Sequence, residues 1–173
     1  MDSYDNSVVL VKYDNEWKNY YILEKHQLLK LVGKYILNIE HVGSTSIKGL
    51  SAKPIIDIMI VVTDLKMALN FSDILEKNGY YFRHDSGVDG EYFINKKENN
   101  IDYYIHVVEK ESGRYNNFIL FRDYLNTHPN ESLKYKSLKE RLALDFKNDR
   151  KSYTLSKGKY IEKVIMLAKS AKK

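Results

Sequence analysis

The longest apolar run in the chain is Ile55-Ile56-Asp57-Ile58-Met59-Ile60-Val61-Val62, broken only by Asp57. A run without polar alternation predicts a central strand covered on both faces, because neither side of its pleat can meet water. Other patterns fall around it. Ser7 to Tyr13 is short and β-branched and reads as a strand. From Asn15 to Gly33, the residues Trp17, Tyr20, Tyr21, Leu23, Leu28 and Leu31 recur at helical spacing, with Asp14 as N-cap and Gly33 as stop. Tyr35 to Val42 reads as a second strand, followed by the turn-rich segment Gly43 to Gly49. Asp64 to Gly79 predicts a helix. Tyr80–Arg83, Glu91–Lys96 and Ile101–Glu109 predict three more strands, joined by a polar loop over 84–90 and a turn at Asn99-Asn100. From Tyr115 onward the period is helical. Phe118, Phe121 and Leu125 begin it, His128-Pro129 interrupts it, and Leu133, Tyr135, Leu138, Leu142 and Phe146 resume it. A last helix is expected from about Asp149 to Ala171. The order predicts an α+β fold: a mixed β-sheet with flanking helices and a helical C-terminal segment, in one domain over residues 1–173.

Charge and composition narrow the function classes. The 173 residues carry 28 Lys and Arg against 23 Asp and Glu, a formal charge of +5, much of it at Lys169, Lys172 and Lys173. A lysine-rich helix end is ordinarily a solvated face that suits the helix dipole, so nucleic acid is not the expected partner. The 15 tyrosines are scattered and lack the glycine-flanked signature of an RNA-binding sheet. Without cysteine, disulfides and thiolate metal sites are excluded. No run reaches the ~20 apolar residues of a membrane span, and the first residues lack a signal-peptide pattern, so the expected location is cytoplasmic.

Asp57 is the anomaly. An ionised carboxylate inside an apolar strand is costly unless it pairs with a cation, binds metal or lies at the strand end. An ion pair with Lys53 or His41 is the plain explanation. The preceding Gly43-Ser44-Thr45 offers another, since glycine lets a backbone approach a ligand and helix-start amides attract anions. His41 and His106, with Asp57 and Lys53, are expected to line one polar pocket, either for an anionic ligand or as acid and base. The loop over 85–90 is expected to cover it.

Together these features resemble the nucleotidyltransferase superfamily, in which a Gly-Ser turn holds phosphates and carboxylates on the next strand bind divalent metal. More narrowly, the stretch from Glu40 to Ile58, EHVGSTSIKGLSAKPIIDI, resembles the GrpB family, also called UPF0157. Val11 to Trp17, Ile105 to Glu109, Phe121 to Leu125 with His128-Pro129, and Asp149-Arg150 with Tyr153 and Lys157 extend the likeness along nearly the whole chain. The resemblance implies a nucleotidyltransferase-like fold that binds a nucleotide or another phosphorylated small molecule. Gly43, Ser44, Thr45 and Lys53 would meet phosphate, and Asp57 with Asp102 would hold Mg²⁺. Met59 stands where a second strand carboxylate belongs, and a thioether does not suit Mg²⁺. The alternative expectation is therefore a ligand-binding or regulatory module that kept the fold and lost transferase chemistry.

Overall fold

A computed structural model describes residues 6–83 and 90–171. Five strands form one mixed sheet: β1 (Asn38–Val42), β2 (Ile55–Val62), β3 (Tyr81–Arg83), β4 (Glu91–Glu98) and β5 (Ile101–Glu109). Their spatial order is β1-β2-β5-β4-β3, with β2 and β5 parallel and every other pair antiparallel. The apolar run is thus the second strand from one edge, paired on both sides. β4 turns into β5 through Asn99 and Asn100, whose φ angles of 50° and 63° are left-handed; asparagine adopts that region more readily than other side chains.

The two faces of the sheet have different neighbours. Ile56, Ile58, Ile60 and Val62, with Ile105 and Val107, pack with Trp17, Leu28 and Val32 of α1 (Glu16–Val32). On the opposite face Met59, Val61, Val42 and Val108 meet Tyr115, Phe118 and Ile119 of α3 (Gly113–Thr127). Each fully buried aliphatic side chain contributes about 1.5–3 kcal/mol to this packing. The helical tail continues through α4 (Pro129–Asp145), α5 (Arg150–Ser156) and α6 (Gly158–Ala171). Ile47 and Leu50, in the loop after β1, are buried among Leu120, Phe121, Tyr135 and Val164 of that tail. The tail therefore clamps the Gly-Ser turn against the sheet.

Four expectations about elements need correction. Ser7–Tyr13 forms no strand but only a bridge between Val11 and Ala52. Its β-branched residues serve packing instead, Val8 being buried with Leu142 and Tyr153. The strand expected from Tyr35 begins at Asn38, because Gly33–Tyr35 makes a 3-10 turn. The helix expected over 64–79 is a 3-10 turn, Leu65–Asn70, and a short α2 (Ser72–Glu76); Asp64 caps it as expected, accepting from the Lys66 amide. The last helix breaks between Ser156 and Gly158 into α5 and α6. The loop expected to cover the site, over 85–90, lies outside the described residues except for Gly90. No helix among the described residues is long and apolar enough to cross a membrane.

Candidate functional site

The site begins where β1 ends. Val42 lies opposite Asp57 across the β1–β2 pair, so the next residue, Gly43, passes directly beside the carboxylate. Gly43 has φ 69° and ψ −169°, a region open essentially to glycine alone. A Cβ there would lie 2.7 Å from both Cβ and Cγ of Asp57 and closer still to Oδ2. Glycine is thus required twice, by backbone conformation and by the carboxylate beside it. Ser44–Ser46 then forms a 3-10 turn, whose first amides have no partner within the turn.

Behind Asp57 runs a line of alternating charge. His106 Nε2 is 3.5 Å from Asp57 Oδ1, and His106 Nδ1 is 3.4 Å from Glu91 Oε2. Arg114 Nε donates to the same Glu91 oxygen at 2.6 Å. Burial opposes a charge on His106, but the two flanking carboxylates outweigh it and hold the imidazole pKa above its ordinary value. Burial likewise opposes the Glu91 charge, and the nearby His106 together with the bond from Arg114 overcomes that and lowers its pKa. Removing Glu91 would leave the buried His106 and the half-buried Arg114 without the carboxylate they share. Glu91→Ala is expected to cost about 3–5 kcal/mol in urea denaturation. It is also expected to lower the His106 pKa, read by NMR titration of the ring.

In front of Asp57 lies a concentration of positive charge. A cavity of about 210 Å³ is bounded by Ser44, Asp57 and Tyr104 from the sheet side, and by Lys53, Lys139, Arg150, Tyr153 and Lys157. Four basic side chains thus face one space, and among the described residues Asp57 is the one carboxylate lining it. Burial, then repulsion from Arg150 and Lys157, lowers the Lys53 pKa to about 8. Burial, with Arg150 adding to it against the pull of Asp57, lowers Lys157 to about 8. Lys139 is 1% exposed, donates to the Ser51 carbonyl, and is lowered to about 7, chiefly by burial and then by Lys157. A second cavity of about 480 Å³ adjoins the first, sharing Ser44, Asp57 and Lys157 with it. Phe118, Phe121, Ile161 and Ile165 make its walls apolar.

The residues singled out in the sequence are only partly brought together. Gly43, Ser44, Asp57 and His106 border the apolar-walled cavity, and Lys53 joins Ser44 and Asp57 at the cationic one. His41 is elsewhere. It pairs with Ile58 in register, so alternation turns it to the α1 face, where it stacks on Tyr21 at 4.8 Å. Thr45 is 2% exposed and donates its hydroxyl to the Ile55 carbonyl, so His41 Nε2, 3.0 Å away, is the donor to that oxygen. Burial lowers the His41 pKa to about 4; the attraction of Asp57 and the repulsion of Arg122 are smaller effects, so the ring is neutral at pH 7. The expected pairing of His41 with His106 in one pocket is therefore not what the fold builds. Asp102 is 40% exposed and lies 3.9 Å from Lys97. It pairs with Ile55, two positions before the level of Asp57.

The donor set limits metal chemistry. Among the described residues no three His, Asp or Glu side chains converge on one point. Met59 is buried in the apolar layer rather than turned to a ligand. Mg²⁺ commonly keeps several waters and takes one or two carboxylates together with substrate phosphates. Asp57, 26% exposed beside a cationic cavity, fits one such ion; the residues present do not fit a two-metal pair. Lys139, Arg150, Glu91 and Arg114 were not foreseen as site residues. The available signal was Lys139, which falls on the buried stripe of α4 between Tyr135 and Leu142.

Comparison of the fold places the chain in a class. A crystal structure of Cid1 poly(U) polymerase with Mg and 3′-dATP bound superposes with a TM-score of 0.53. It is 15% identical, over 78% of this chain and 43% of that one. The architecture is nucleotidyltransferase-like. Within that class the chain belongs to the GrpB family, whose profile, described as GrpB protein, matches residues 7–166. The glutamate-rich protein GrpB of Alkalihalophilus pseudofirmus is 37% identical over 91% of this chain and 94% of its own length. The UPF0157 protein YqkA of Bacillus subtilis is 32% identical over 96% of this chain but 48% of its own. The crystal structure of conserved protein GrpB from Enterococcus faecalis superposes with a TM-score of 0.84 at 25% identity, covering 92% of this chain and 96% of that one.

Proposed function

We propose that this protein binds a nucleotide or related phosphorylated small molecule, with its phosphates in the cavity walled by Lys53, Lys139, Arg150 and Lys157. The observation that carries this reading is the gathering of those four cations around one small space beside Gly43-Ser44. Burial, with mutual repulsion added, holds the lysine pKa values down at about 7 or 8, and a polyanion in the cavity would favour their charged forms. The Ser44 and Thr45 amides at the start of the turn add donors without adding charge. The nucleotide-bound Cid1 structures, alike in fold, support a nucleotide as ligand.

In a transferase reading, Asp57 holds a single Mg²⁺, which when bound offsets charge on phosphate oxygens. Gly43 keeps the carboxylate against the turn, and His106, backed by Glu91, fixes its orientation. The lysines hold the phosphates and neutralise charge that develops on them. Met59 favours a second reading, a module that binds the same ligand without transferring it, since the second carboxylate of a metal pair is missing. Thermal shift with nucleoside triphosphates separates the two. A Mg²⁺-dependent rise in melting temperature that Asp57→Ala abolishes is expected of the transferase. A rise indifferent to EDTA and to that substitution is expected of the binding module, and no rise with any nucleotide would remove both.

A further inference from the structure

Tyr104 and Arg150 have cavities on both sides. Beyond them, away from the phosphate cavity, opens a basin of about 720 Å³ bordered by Arg83, Phe93, Asn95, Tyr104 and Arg150. That volume is within the range of small-molecule sites. Its wall is aromatic: Phe93 and Tyr104 meet edge to face at 5.2 Å between ring centres. The Arg150 guanidinium stands 5.4 Å from the Tyr104 ring and donates to its hydroxyl, which holds the ring in place. Arg83 stands 5.9 Å from the Phe93 ring.

Asn95 is the residue this packing does not explain. It lies opposite Tyr104 in the β4–β5 pair, on the face that carries Asp57 and His106. Its Oδ1 is buried without a hydrogen-bond partner among the described residues. A side-chain amide kept for structure is bonded, and an unmet buried acceptor costs stability. Turning the carboxamide about χ2 gives up no bond at Oδ1 and offers the basin an acceptor beside two donors. That edge matches the adjacent donor and acceptor of a nitrogen heterocycle, while Phe93 and Tyr104 supply the surface for its π face.

We propose that this basin is a second ligand subsite, taking the planar nitrogen heterocycle of a nucleotide-class molecule through Asn95, Phe93 and Tyr104. Arg150 and Lys151 give the basin a positive rim that suits an anion joined to the ring. The inference deepens the proposed function by naming the ring as well as the phosphate, and it rests on that reading only for the anionic part.

Calorimetric titration of the full chain tests it with adenosine, guanosine, cytidine and uridine 5′-monophosphates against ribose 5-phosphate. At least one nucleotide is expected to bind about tenfold more tightly than the ringless sugar phosphate. Asn95→Leu and Phe93→Ala, each checked for an intact fold by circular dichroism, are expected to reduce that ratio towards one. Equal affinity of nucleotides and ribose 5-phosphate in the unmodified chain would overturn the proposal, with no dependence on whether a variant folds. So would a ratio unchanged in both variants. Titration with tripolyphosphate, which has no ring, separates the two readings: its failure to bind would remove the phosphate cavity, while unphosphorylated nucleosides would still report on the basin.

Discussion

Lys157→Ala is expected to weaken binding of tripolyphosphate, or of a nucleoside triphosphate, by about 10- to 100-fold. Each charge-assisted hydrogen bond lost is worth about 1.5–3 kcal/mol, and 1.4 kcal/mol is a factor of ten. Lys157 is the position of choice because it borders both cavities. Lys159, two residues on and exposed on α6, is the matched control, and its removal is expected to change affinity little. The same measurement has a pH dependence whose sign is fixed by the lysines. In the empty cavity Lys53 and Lys157 release their protons near pH 8 and Lys139 near pH 7, against 10.5 for an ordinary lysine. The groups acting on them are Asp57, Asp102 and Glu140, which favour the charged forms, and Arg150 with the neighbouring lysines, which oppose it. A polyanion raises these pKa values, so binding takes up protons and affinity falls as pH rises from 7 to 9. Ligand-free stability runs the other way. Between pH 7 and 10 the unfolded chain binds more lysine protons than the folded one, so stability rises with pH across that window. Calorimetry in buffers of different ionisation enthalpy reads the proton uptake. A pH-independent affinity, or an equal loss in Lys159→Ala, would contradict the assignment of phosphate to this cavity.

Gly43→Ala is expected to destabilise the fold by about 3–5 kcal/mol. Two costs add: a side chain forced into a backbone region open essentially to glycine, at about 1–3 kcal/mol, and an overlap with Asp57 that behaves as local overpacking, at a similar figure. For a chain of this size the melting temperature would drop by about 10 °C. The substitution adds one methyl group and removes no contact, so a loss of that size comes from conformation and crowding alone. A fall of less than about 1 kcal/mol would mean that the carboxylate moves aside without cost, and that its seat against the turn is not built in. Any Mg²⁺-dependent ligand response is expected to vanish with it.

The strands nearest the site were legible in the sequence, and the reasons are physical. β2 is apolar on both faces and β5 nearly so over its second half, so both match their expected limits, Ile55–Val62 and Ile101–Glu109. Asp57 drew attention because one charge in such a run demands a partner. That partner was legible only in part. The sequence places both His41 and His106 with Asp57, but which face a histidine takes depends on register between strands, and pairing of Val42 with Asp57 turns His41 away. The break at Lys157-Gly158 was missed because hydrophobic spacing continues across it. Of the cationic cavity, Lys53 is expected from the sequence, but Lys139, Arg150 and Lys157 lie far from it along the chain, and only tertiary folding brings the four to one space. Each of those three, taken alone, looks like one more surface charge.

The interruption between α5 and α6 has a consequence for how a ligand would thread the molecule. A continuous helix would have a single axis, and its residues would serve one surface. Ending one helix at Ser156 and starting another at Gly158 makes Lys157 a corner post, with α5 walling the charged chamber and α6 packed on α3 beside the apolar one. Opposite this post stand Ser44 and Asp57. The doorway between the chambers thus has one jamb from the sheet and one from the tail, so anything passing through it fastens the two halves of the chain to each other.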